Sequence, residues 1–360
     1  MTVATAPLSP PTVTLLAEGK TKQIWSHSDT SVLVAFKDGA TAFNAKKVGH
    51  FPGKGALNAK ISAHLFGWLQ QHHIPTAYQG PGSDAHQLYM TPLTMIPLEV
   101  VVRNVALGSI CARAGVAAGT GFAQPVVEFF HKTADDPLLS SGTIASLGIL
   151  PAGVTLDAIT TAALHINELL VAYFNALGVT CADFKLEFGV NTHGTLLLGD
   201  ELSPDNFRLR DATTGAVLDK DVFRLDLADL LVTYQSLWDR MQALNTTTLA
   251  EQLATQANTY HATVTVHSRK AILSPESRAI TTSVQAHGFN NISTLKAGKH
   301  FDISLTAATS IAAQRQITQL AIDVLSNPVI EDVTVSVARD WAQSPMVVPI
   351  AAALLQPQGV

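Results

Sequence analysis

The chain has 360 residues, of which 47% are hydrophobic and 14% charged; this suits two ordinary domains and excludes a wholly disordered chain. A formal net charge of −5 and an isoelectric point near 6.2 give no basic surface for nucleic acid. The longest apolar run near the end, residues 346–355, is too short to span a bilayer, so no membrane partner is expected. Cys111 and Cys181 form neither a CxxC pair nor a ligand spacing, which favours a reducing, cytoplasmic setting.

The chain begins with a tail and a group of short strands around two lysines. Residues 1–11 predict a disordered tail, and strand-like runs follow at residues 12–16, 22–25 and 32–36. Lys20 and Lys22 alternate at a turn, so both side chains could reach one face of a strand; two solvated surface lysines are the equally weighted alternative. The Gly-Lys-Thr here is not a P-loop, because Thr14 stands where that motif needs a glycine.

An arginine at the end of a strand is a candidate phosphate ligand. Apolar residues at helical spacing predict a helix over 56–71, and proline-interrupted strands follow over 88–104. Arg103 stands at the end of these strands, and Ser109 lies in a glycine–serine turn just after it. A guanidinium, a hydroxyl and backbone N–H groups could clamp a phosphate, whereas a surface ion pair is the more ordinary interpretation.

The densest charge cluster lies between Cys181 and Leu209, after a helix predicted over 155–177. It reads as a β-hairpin with its turn at residues 191–194 and with Glu187 opposite Leu198. Because side chains alternate along a strand, one face is expected to carry charged residues: Asp183, Lys185, Glu187 and Asp200. The other face is expected to carry the apolar residues Phe184, Leu186 and Phe188.

Two carboxylates of this hairpin form a candidate metal site. Glu187 and Asp200 lie diagonally across it with Lys185 beside them, which suits a hard cation carrying phosphate oxygens. The alternative is a solvated outer face of an antiparallel sheet. A one-residue bulge would change the register and remove the geometry.

The last third of the chain predicts a separate small unit. After a helix to about residue 241, residues 242–259 are rich in Thr, Gln and Ala and predict a linker. Residues 260–337 then predict the β-α-β-β-α-β order of a ferredoxin-like split motif. Its strands are expected at 261–266, 292–295, 300–306 and 333–337, and its helices at 275–287 and 310–325. It contains no catalytic constellation and is more typical of an assembly module, while the tail 338–360 has no assigned role.

Residues 12–241 resemble SAICAR synthetase (phosphoribosylaminoimidazole-succinocarboxamide synthase). Their blocks EGKTKQIW, FKDGATAFN, KGALNAKIS, PLEVVVRNVALGS, DFKLEFG, GDELSPDNFRL and DKDVFR occur in the family's order. Residues 260–337, with HATVTV, AHGF, AGKHFDI and NPVIEDVTV, are similar to the small accessory subunit (PurS) of FGAM synthase, by a shorter and softer match. The resemblance implies an α+β chain: a two-lobed ATP-grasp-type ligase domain fused to a small ferredoxin-like domain.

That resemblance also implies a reaction and partners. The family uses ATP and Mg²⁺ to join L-aspartate to the carboxylate of CAIR, an aminoimidazole ribonucleotide, through an acyl phosphate that releases ADP and phosphate. The accessory domain implies the large and glutaminase subunits of FGAM synthase as partners, and both families imply a homo-oligomer. Two alternatives stay open: a catalytically weak scaffold for those subunits, and a ligase for another acid and amine.

Roles carried over from the family fall on thirteen residues. Those implied to bind the nucleotide are Lys20 and Lys22, at its phosphates, and Met95, near adenine. Those implied at the reacting carboxylate and at Mg²⁺ are, respectively, Asp183 with Lys185, and Glu187 with Asp200. Those implied to hold the substrates are Arg103, Ser109, Arg208, Lys220, Asp221 and Arg224. The chain departs from the family at Gly39 and Ala45, at Asn206-Phe207, and in a shortened segment after Lys132, where Asp136 keeps the Asp-Pro position.

Overall fold

The computed structural model describes residues 14–343, apart from 43–45, 270, 271 and 273. Both predicted tails therefore lie wholly or mostly outside the described residues. The chain divides into two compact units between Thr246 and Thr247, and each is described by itself. Within the described residues, no helix combines the length and the apolarity needed to cross a membrane.

The first unit is built from two larger antiparallel sheets and a two-stranded ribbon. Its strands are β1 (Leu15–Glu18), β2 (Lys22–Ser28), β3 (Ser31–Phe36), β4 (Gly39–Ala42), β5 (Lys47–His50), β6 (Tyr78–Pro81), β7 (Gln87–Met90), β8 (Thr94–Val105), β9 (Gly121–His131), β10 (Leu138–Leu139), β11 (Val179–Val190), β12 (Leu196–Leu198) and β13 (Phe207–Asp211). Its helices are α1 (Lys54–Gln71), α2 (Ser109–Ala114), α3 (Ser141–Leu147), α4 (Leu156–Ala176), α5 (Asp221–Arg224) and α6 (Leu230–Ala243).

The first sheet has the order β1-β2-β3-β7-β6 and is covered by helix α1. Leu57, Ile61, Leu65 and Trp68 recur at helical spacing on α1 and are buried, as the periodicity predicts. The helix begins close to the end of β3, since a Cβ on Gly55 would lie 2.5 Å from the carbonyl oxygen of Phe36. This sheet carries Lys22 at the start of β2, and Lys20 lies in the turn just before it.

The second sheet has the order β10-β9-β8-β11-β12, and β13 pairs with the first half of β11. Helix α4 packs over it, and Phe207 lies between Phe174 of that helix and Phe184 of β11, with ring centroids 5.3 and 5.8 Å apart. Strand β11 is therefore central, buried on its apolar face and charged on the other.

The predicted hairpin forms, but its register differs by one residue. Val190 pairs with Leu196 and Phe188 with Leu198, so five residues separate the last paired positions where four were expected. The predicted pair of Glu187 with Leu198 is therefore wrong, because the turn is one residue longer. The alternation along β11 holds nonetheless, with Phe184, Leu186 and Phe188 at most 2% exposed.

The second unit is a three-stranded antiparallel sheet of order β15-β14-β16. Its elements are α7 (Thr246–Ala254, reaching into it from the boundary), β14 (Asn258–Ser268), α8 (Pro275–Ala286), β15 (Gly298–Ala307), α9 (Ser310–Leu320), a π-helical turn (Ala321–Leu325) and β16 (Glu331–Arg339). Helix α9 covers one face, where Tyr260, Val264 and Ile317 are buried.

Two predictions for this part of the chain are wrong. Residues 292–295 form no strand, because the loop is held elsewhere: the N–H of Ala297 donates to Ser277 Oγ of α8 at 2.8 Å. The order is thus β-α-β-α-β. Within the predicted linker 242–259, residues 246–254 form helix α7, because Leu249 and Leu253, four residues apart, bury one face that composition alone does not reveal.

Candidate active site

A cleft of about 740 Å³ in the first unit gathers most of the predicted site residues. It is formed by the β1–β2 turn, the middle of β8 and of β11, and the segments around residues 200–208 and 220–224. Among the described residues that line it, the basic side chains are Lys20, Lys22, Arg103, Lys132, Lys185, Arg208, Lys220 and Arg224. The acidic ones are Glu18, Glu99, Asp136, Asp183, Glu187, Asp200, Glu201 and Asp205. Eight positive and eight negative formal charges therefore balance.

Lys185 stands at the centre of the carboxylates. Its Nζ lies 2.6 Å from Glu187 Oε1, 3.0 Å from Glu99 Oε1 and 3.8 Å from Asp200 Oδ2. Burial lowers the pKa of Lys185, but Asp200, Glu187 and Glu99 outweigh it and hold the pKa well above its ordinary value. Lys185 is thus a protonated cation shared by three carboxylates. Its neighbours on β11, Phe184 and Leu186, point to the buried apolar face.

Asp200 reaches this group from beyond the end of β12. Its φ of +55° turns the backbone, so a loop conformation brings the carboxylate into the cleft where strand alternation was expected to do so. Lys22 Nζ lies 2.6 Å from Asp200 Oδ1 and 2.5 Å from Glu201 Oε1. Burial opposes the ionised form of Asp200, but Lys22 and Lys185 outweigh it and lower the pKa of Asp200. The shifted register therefore does not disperse the cluster.

A second group of ion pairs surrounds Asp183. Arg103 Nη1 donates to Asp183 Oδ2 at 2.9 Å and its Nε to Glu128 Oε2 at 2.6 Å. Arg208 Nη1 donates to the same aspartate at 3.0 Å. Arg103 is only 3% exposed, so its ion pairs are buried. The surface ion pair that the sequence offered as the more ordinary interpretation of Arg103 is therefore wrong. Arg113 extends the group by contacting Glu128.

The predicted phosphate-binding residues lie near one another. Arg113 Nη1 donates to Ser109 Oγ at 2.6 Å, which links Ser109 to the ion pairs of Arg103 through Glu128. Gly108 has a φ of +68°, and a Cβ there would lie 2.8 Å from Arg208 Nη2, so only glycine lets that guanidinium approach. Asp183 raises the pKa of Arg208; burial opposes this effect, and Asp221 adds to it, so the pKa stays above its ordinary value. Ser109 itself does not line the cleft.

Buried polar groups support the floor of the cleft. Lys54 Nζ lies 2.6 Å from Asp205 Oδ2, Tyr234 donates its hydroxyl to Asp205 Oδ1 at 2.6 Å, and Lys220 Nζ lies 3.6 Å from Oδ2. Lys54 is fully buried. Asp205 therefore accepts hydrogen bonds from Lys54 and Tyr234, and it has a longer ionic contact with Lys220.

The other two predicted substrate ligands form their own pair. Arg224 Nη1 lies 2.6 Å from Asp221 Oδ1, and Arg208 Nε lies 3.4 Å from Asp221 Oδ2. Arg224 lines the cleft, whereas Asp221 lies behind it and positions the two arginines.

Met95, like Ser109 and Asp221, is a predicted residue that does not line the cleft, and unlike them it has no ion-pair link to it among the described contacts. It is 39% exposed, and its sulfur lies over two glycines: it would be 3.1 and 3.4 Å from Cβ atoms on Gly189 and Gly199. The predicted contact with adenine therefore stays a prediction. Asp136, which keeps the Asp-Pro position after the shortened segment, does line the cleft.

The carboxylates fit a cation that brings further ligands with it. Glu187 and Asp200 both address one ammonium, that of Lys185, so their oxygens converge on a single positive charge. Within the part of the chain that the structure describes, no cluster of three or more His, Cys, Asp or Glu could hold a metal by itself. Mg²⁺ accepts this arrangement, since it is commonly held by one or two carboxylates, phosphate oxygens and water.

Several charged residues of the site were not assigned from the sequence. They are Lys54, Glu99, Lys132, Glu201 and Asp205, of which Lys132 contacts Glu187. Glu99 could have been found, because it alternates with Arg103 along β8 and so shares its face. Lys54 gave no signal, since its partner Asp205 is 151 residues away.

The chain is similar to known proteins in two separate regions. The family model for SAICAR synthetase matches residues 15–241, and that for phosphoribosylformylglycinamidine (FGAM) synthase (PurS) matches residues 261–339. The phosphoribosylaminoimidazole-succinocarboxamide synthase of Thermococcus kodakarensis is 45% identical over 226 residues, 62% of this chain and 95% of that protein.

Two solved structures resemble the first region over nearly their whole length. One is a SAICAR synthetase (Type-2) in complex with ADP, which covers 63% of this chain and 97% of its own at 39% identity and a TM-score of 0.60. The other is the SAICAR synthetase (Type-1) from Pyrococcus horikoshii, with 62% and 98% coverage, 38% identity and a TM-score of 0.58.

Proposed function

The chain belongs to the SAICAR synthetase family, and from this premise we propose how its cleft joins L-aspartate to the carboxylate of CAIR, with ATP converted to ADP and phosphate. The observation that carries the proposal is an unbroken chain of ion pairs inside the family-matched region. It runs from Lys22 to Asp200, Lys185 and Glu187, and each contact is 3.8 Å or shorter. Such a group can hold a polyphosphate and a cation together.

The chemistry requires the carboxylate of CAIR to become an electrophile. Transfer of a phosphoryl group gives an acyl phosphate, which the amine of aspartate attacks, and phosphate leaves. Lys20 and Lys22 neutralise the nucleotide phosphates, and Asp183 and Lys185 stand at the reacting carboxylate. Mg²⁺, which Glu187 and Asp200 would hold, would offset charge on the phosphate oxygens. The convergence of both carboxylates on the Lys185 ammonium supports this assignment.

The remaining ligands are assigned to the phosphate of the substrate and to its surroundings. Arg103, Ser109 and Arg208 grip the phosphate of CAIR, which their shared ion-pair network supports. Lys220 and Arg224 line the cleft beside them, and Asp221 holds Arg208 and Arg224 in position.

The ligase function is tested by ADP release. Purified protein should release ADP only when CAIR and L-aspartate are both present, and Glu187→Ala should reduce that release at least 100-fold. A control substitution at an exposed carboxylate, Glu251→Ala, should leave it unchanged. ADP release that does not need both substrates, or equal rates in the Glu187→Ala and Glu251→Ala variants, would refute the assignment.

The finer description of both folds belongs to the same proposal. The two antiparallel sheets of the first unit support a two-lobed, ATP-grasp-type arrangement. The β-α-β-α-β order of the second unit supports a ferredoxin-like one, with one strand fewer than expected.

We assign the second unit to the assembly of FGAM synthase, with its large and glutaminase subunits as partners. The match of residues 261–339 supports this, as do the two outer edges of the β15-β14-β16 sheet, which can pair with another chain. Copurification of those subunits with the full chain, lost when residues 247–360 are removed, is the test. A homo-oligomer and a cytoplasmic location are expected from the families, and sedimentation and cell fractionation test them.

A further inference from the structure

Lys220 shares one buried carboxylate with a second lysine. Its Nζ lies 3.6 Å from Asp205 Oδ2, and Lys54 Nζ lies 2.6 Å from the same oxygen. Tyr234 occupies the other oxygen with its hydroxyl at 2.6 Å. One negative charge and two amines meet where water is largely excluded, so only one ammonium can be fully compensated.

The two lysines are not equivalent. Lys54 is fully buried and makes the shorter contact, so it is the ion-pair partner of Asp205. Lys220 makes the longer contact, keeps 8% of its side chain exposed and lines the cleft. It is therefore the amine that can be neutral and still meet a substrate.

Other charges around Lys220 act in the same direction on balance. Burial lowers its pKa, Lys54 and Arg224 lower it further, and Asp205 and Glu201 oppose them without restoring the ordinary value. Glu201 is engaged by Lys22 at 2.5 Å, which reduces its hold on Lys220.

We propose that Lys220 is the general base that removes a proton from the ammonium group of the incoming L-aspartate. The inference rests on the proposed ligase function, because an ammonium has no lone pair and cannot attack an acyl phosphate. One N–H bond breaks and its proton joins Lys220 Nζ; the freed lone pair forms the C–N bond. The C–O bond to phosphate then breaks, its electron pair leaves with phosphate, and the second proton of the nitrogen goes to that phosphate. Lys54 acts as a positioning residue that occupies the charge of Asp205.

The experiment compares two nucleophiles on the same acyl phosphate. Hydroxylamine is largely unprotonated at neutral pH and needs no base, whereas aspartate does. Lys220→Arg keeps a positive charge but cannot accept a proton, because a guanidinium stays protonated. We expect kcat/KM for aspartate to fall at least 100-fold more than the rate of CAIR hydroxamate formation. Lys60→Arg, the same change at an exposed lysine of α1, should alter neither.

The pH profile gives a second readout that needs no variant at the site. In the unmodified enzyme the aspartate reaction should lose rate on the acid side of a plateau, while hydroxamate formation should not show the same limb. In Lys220→Arg the aspartate rate should keep rising with pH as the substrate loses its own proton. If Lys220→Arg does not fold, the two profiles of the unmodified enzyme still decide.

Two results would overturn the inference. One is an equal loss of both reactions in Lys220→Arg, which would make Lys220 a binding residue. The other is a pH profile of the aspartate reaction that is the same in Lys220→Arg as in the unmodified enzyme, or, in the unmodified enzyme, the same as the profile of hydroxamate formation. An unmodified enzyme that is inactive with both nucleophiles would instead refute the ligase function itself.

Discussion

The charged side chains of the cleft differ in how far they are committed to the protein's own partners. Arg103 is buried between Asp183 and Glu128, whereas Arg208 keeps a quarter of its side chain exposed. A buried guanidinium with two carboxylates contributes to folding as well as to binding, whereas a partly exposed one can turn to a ligand.

Arg208→Ala should therefore raise KM for CAIR at least ~10-fold while changing KM for ATP little. Arg103→Ala should lower the free energy of unfolding by about 1–3 kcal/mol as well, because the buried Asp183 and the partly buried Glu128 each lose a donor. Steady-state kinetics and urea denaturation of both variants are the measurements. Equal increases of both KM values in Arg208→Ala would contradict the assignment to the substrate phosphate.

Two buried aspartates of the cleft, Asp200 and Asp205, predict a loss of stability in acid. Burial opposes ionisation of Asp200 and Asp205, but their lysine partners outweigh it and lower both pKa values below 3.8. The unfolded chain then binds protons at a higher pH than the folded one, so this stability is present above about pH 4 and is lost as the pH falls further. Urea midpoints should fall between pH 5 and pH 3. A midpoint that rises over this range would refute the direction.

Strand periodicity was enough to predict which charged residues share a face. Asp183, Lys185 and Glu187 follow from alternation along one strand, and all three line the cleft. Lys54 could not be predicted in this way, because a lysine at a helix start resembles a solvated one until its distant partner Asp205 is placed.

At the scale of elements, the central strand β11 is pinned by a close approach to β8. Their pairing shifts between Glu187 and Gly189, and a Cβ on Gly189 would lie 2.9 Å from both Leu93 Cβ and the Thr94 carbonyl oxygen. Neither atom belongs to the end of a flexible side chain. The irregularity therefore depends on glycine and sits beside the carboxylate proposed for the metal.

Gly189→Ala should lower the free energy of unfolding by about 1–3 kcal/mol and reduce ligase activity, since the strands must separate beside Glu187. Gly67→Ala on helix α1 is the matched control. Its Cβ would meet no neighbouring atom within 4 Å beyond the helix's own backbone, so the substitution should raise the free energy of unfolding by roughly 0.5–1 kcal/mol. Urea denaturation and ADP release are the measurements. A neutral Gly189→Ala would show that the strands accommodate the methyl group.

Elements were predictable where one local pattern decided them. The apolar spacing of α1 and α4 gave their extents to within two residues, at 54–71 and 156–176. The hairpin register was not predictable, since four- and five-residue turns suit the same Asn–Gly chemistry. Helix α7 was missed because two buried leucines among polar residues are too weak a signal.

At the scale of the whole molecule, the chain joins two compact units that carry separate family matches. Each has its own sheet and its own buried cluster. Units with separate cores are expected to fold separately.

A chain that ends at Thr246 should therefore keep ADP release that requires CAIR and aspartate, to within about twofold of the full chain. Circular dichroism of residues 247–360 alone should show a folded mixed α/β unit. An insoluble or inactive first unit would show that the two depend on each other.

The equal number of acidic and basic side chains in the cleft has a thermodynamic consequence for ligand binding. A nucleotide and a phosphorylated substrate bring net negative charge into a site that has no excess of positive charge. The arginines and lysines must therefore exchange their carboxylates for phosphates. The released carboxylates then attract countercharge, as metal ions or as protons. Substrate binding should thus take up metal ions near neutral pH and protons below about pH 5, where free carboxylates titrate, and calorimetry in buffers of different ionisation enthalpy would count the protons. The cleft, in that sense, is an ion exchanger.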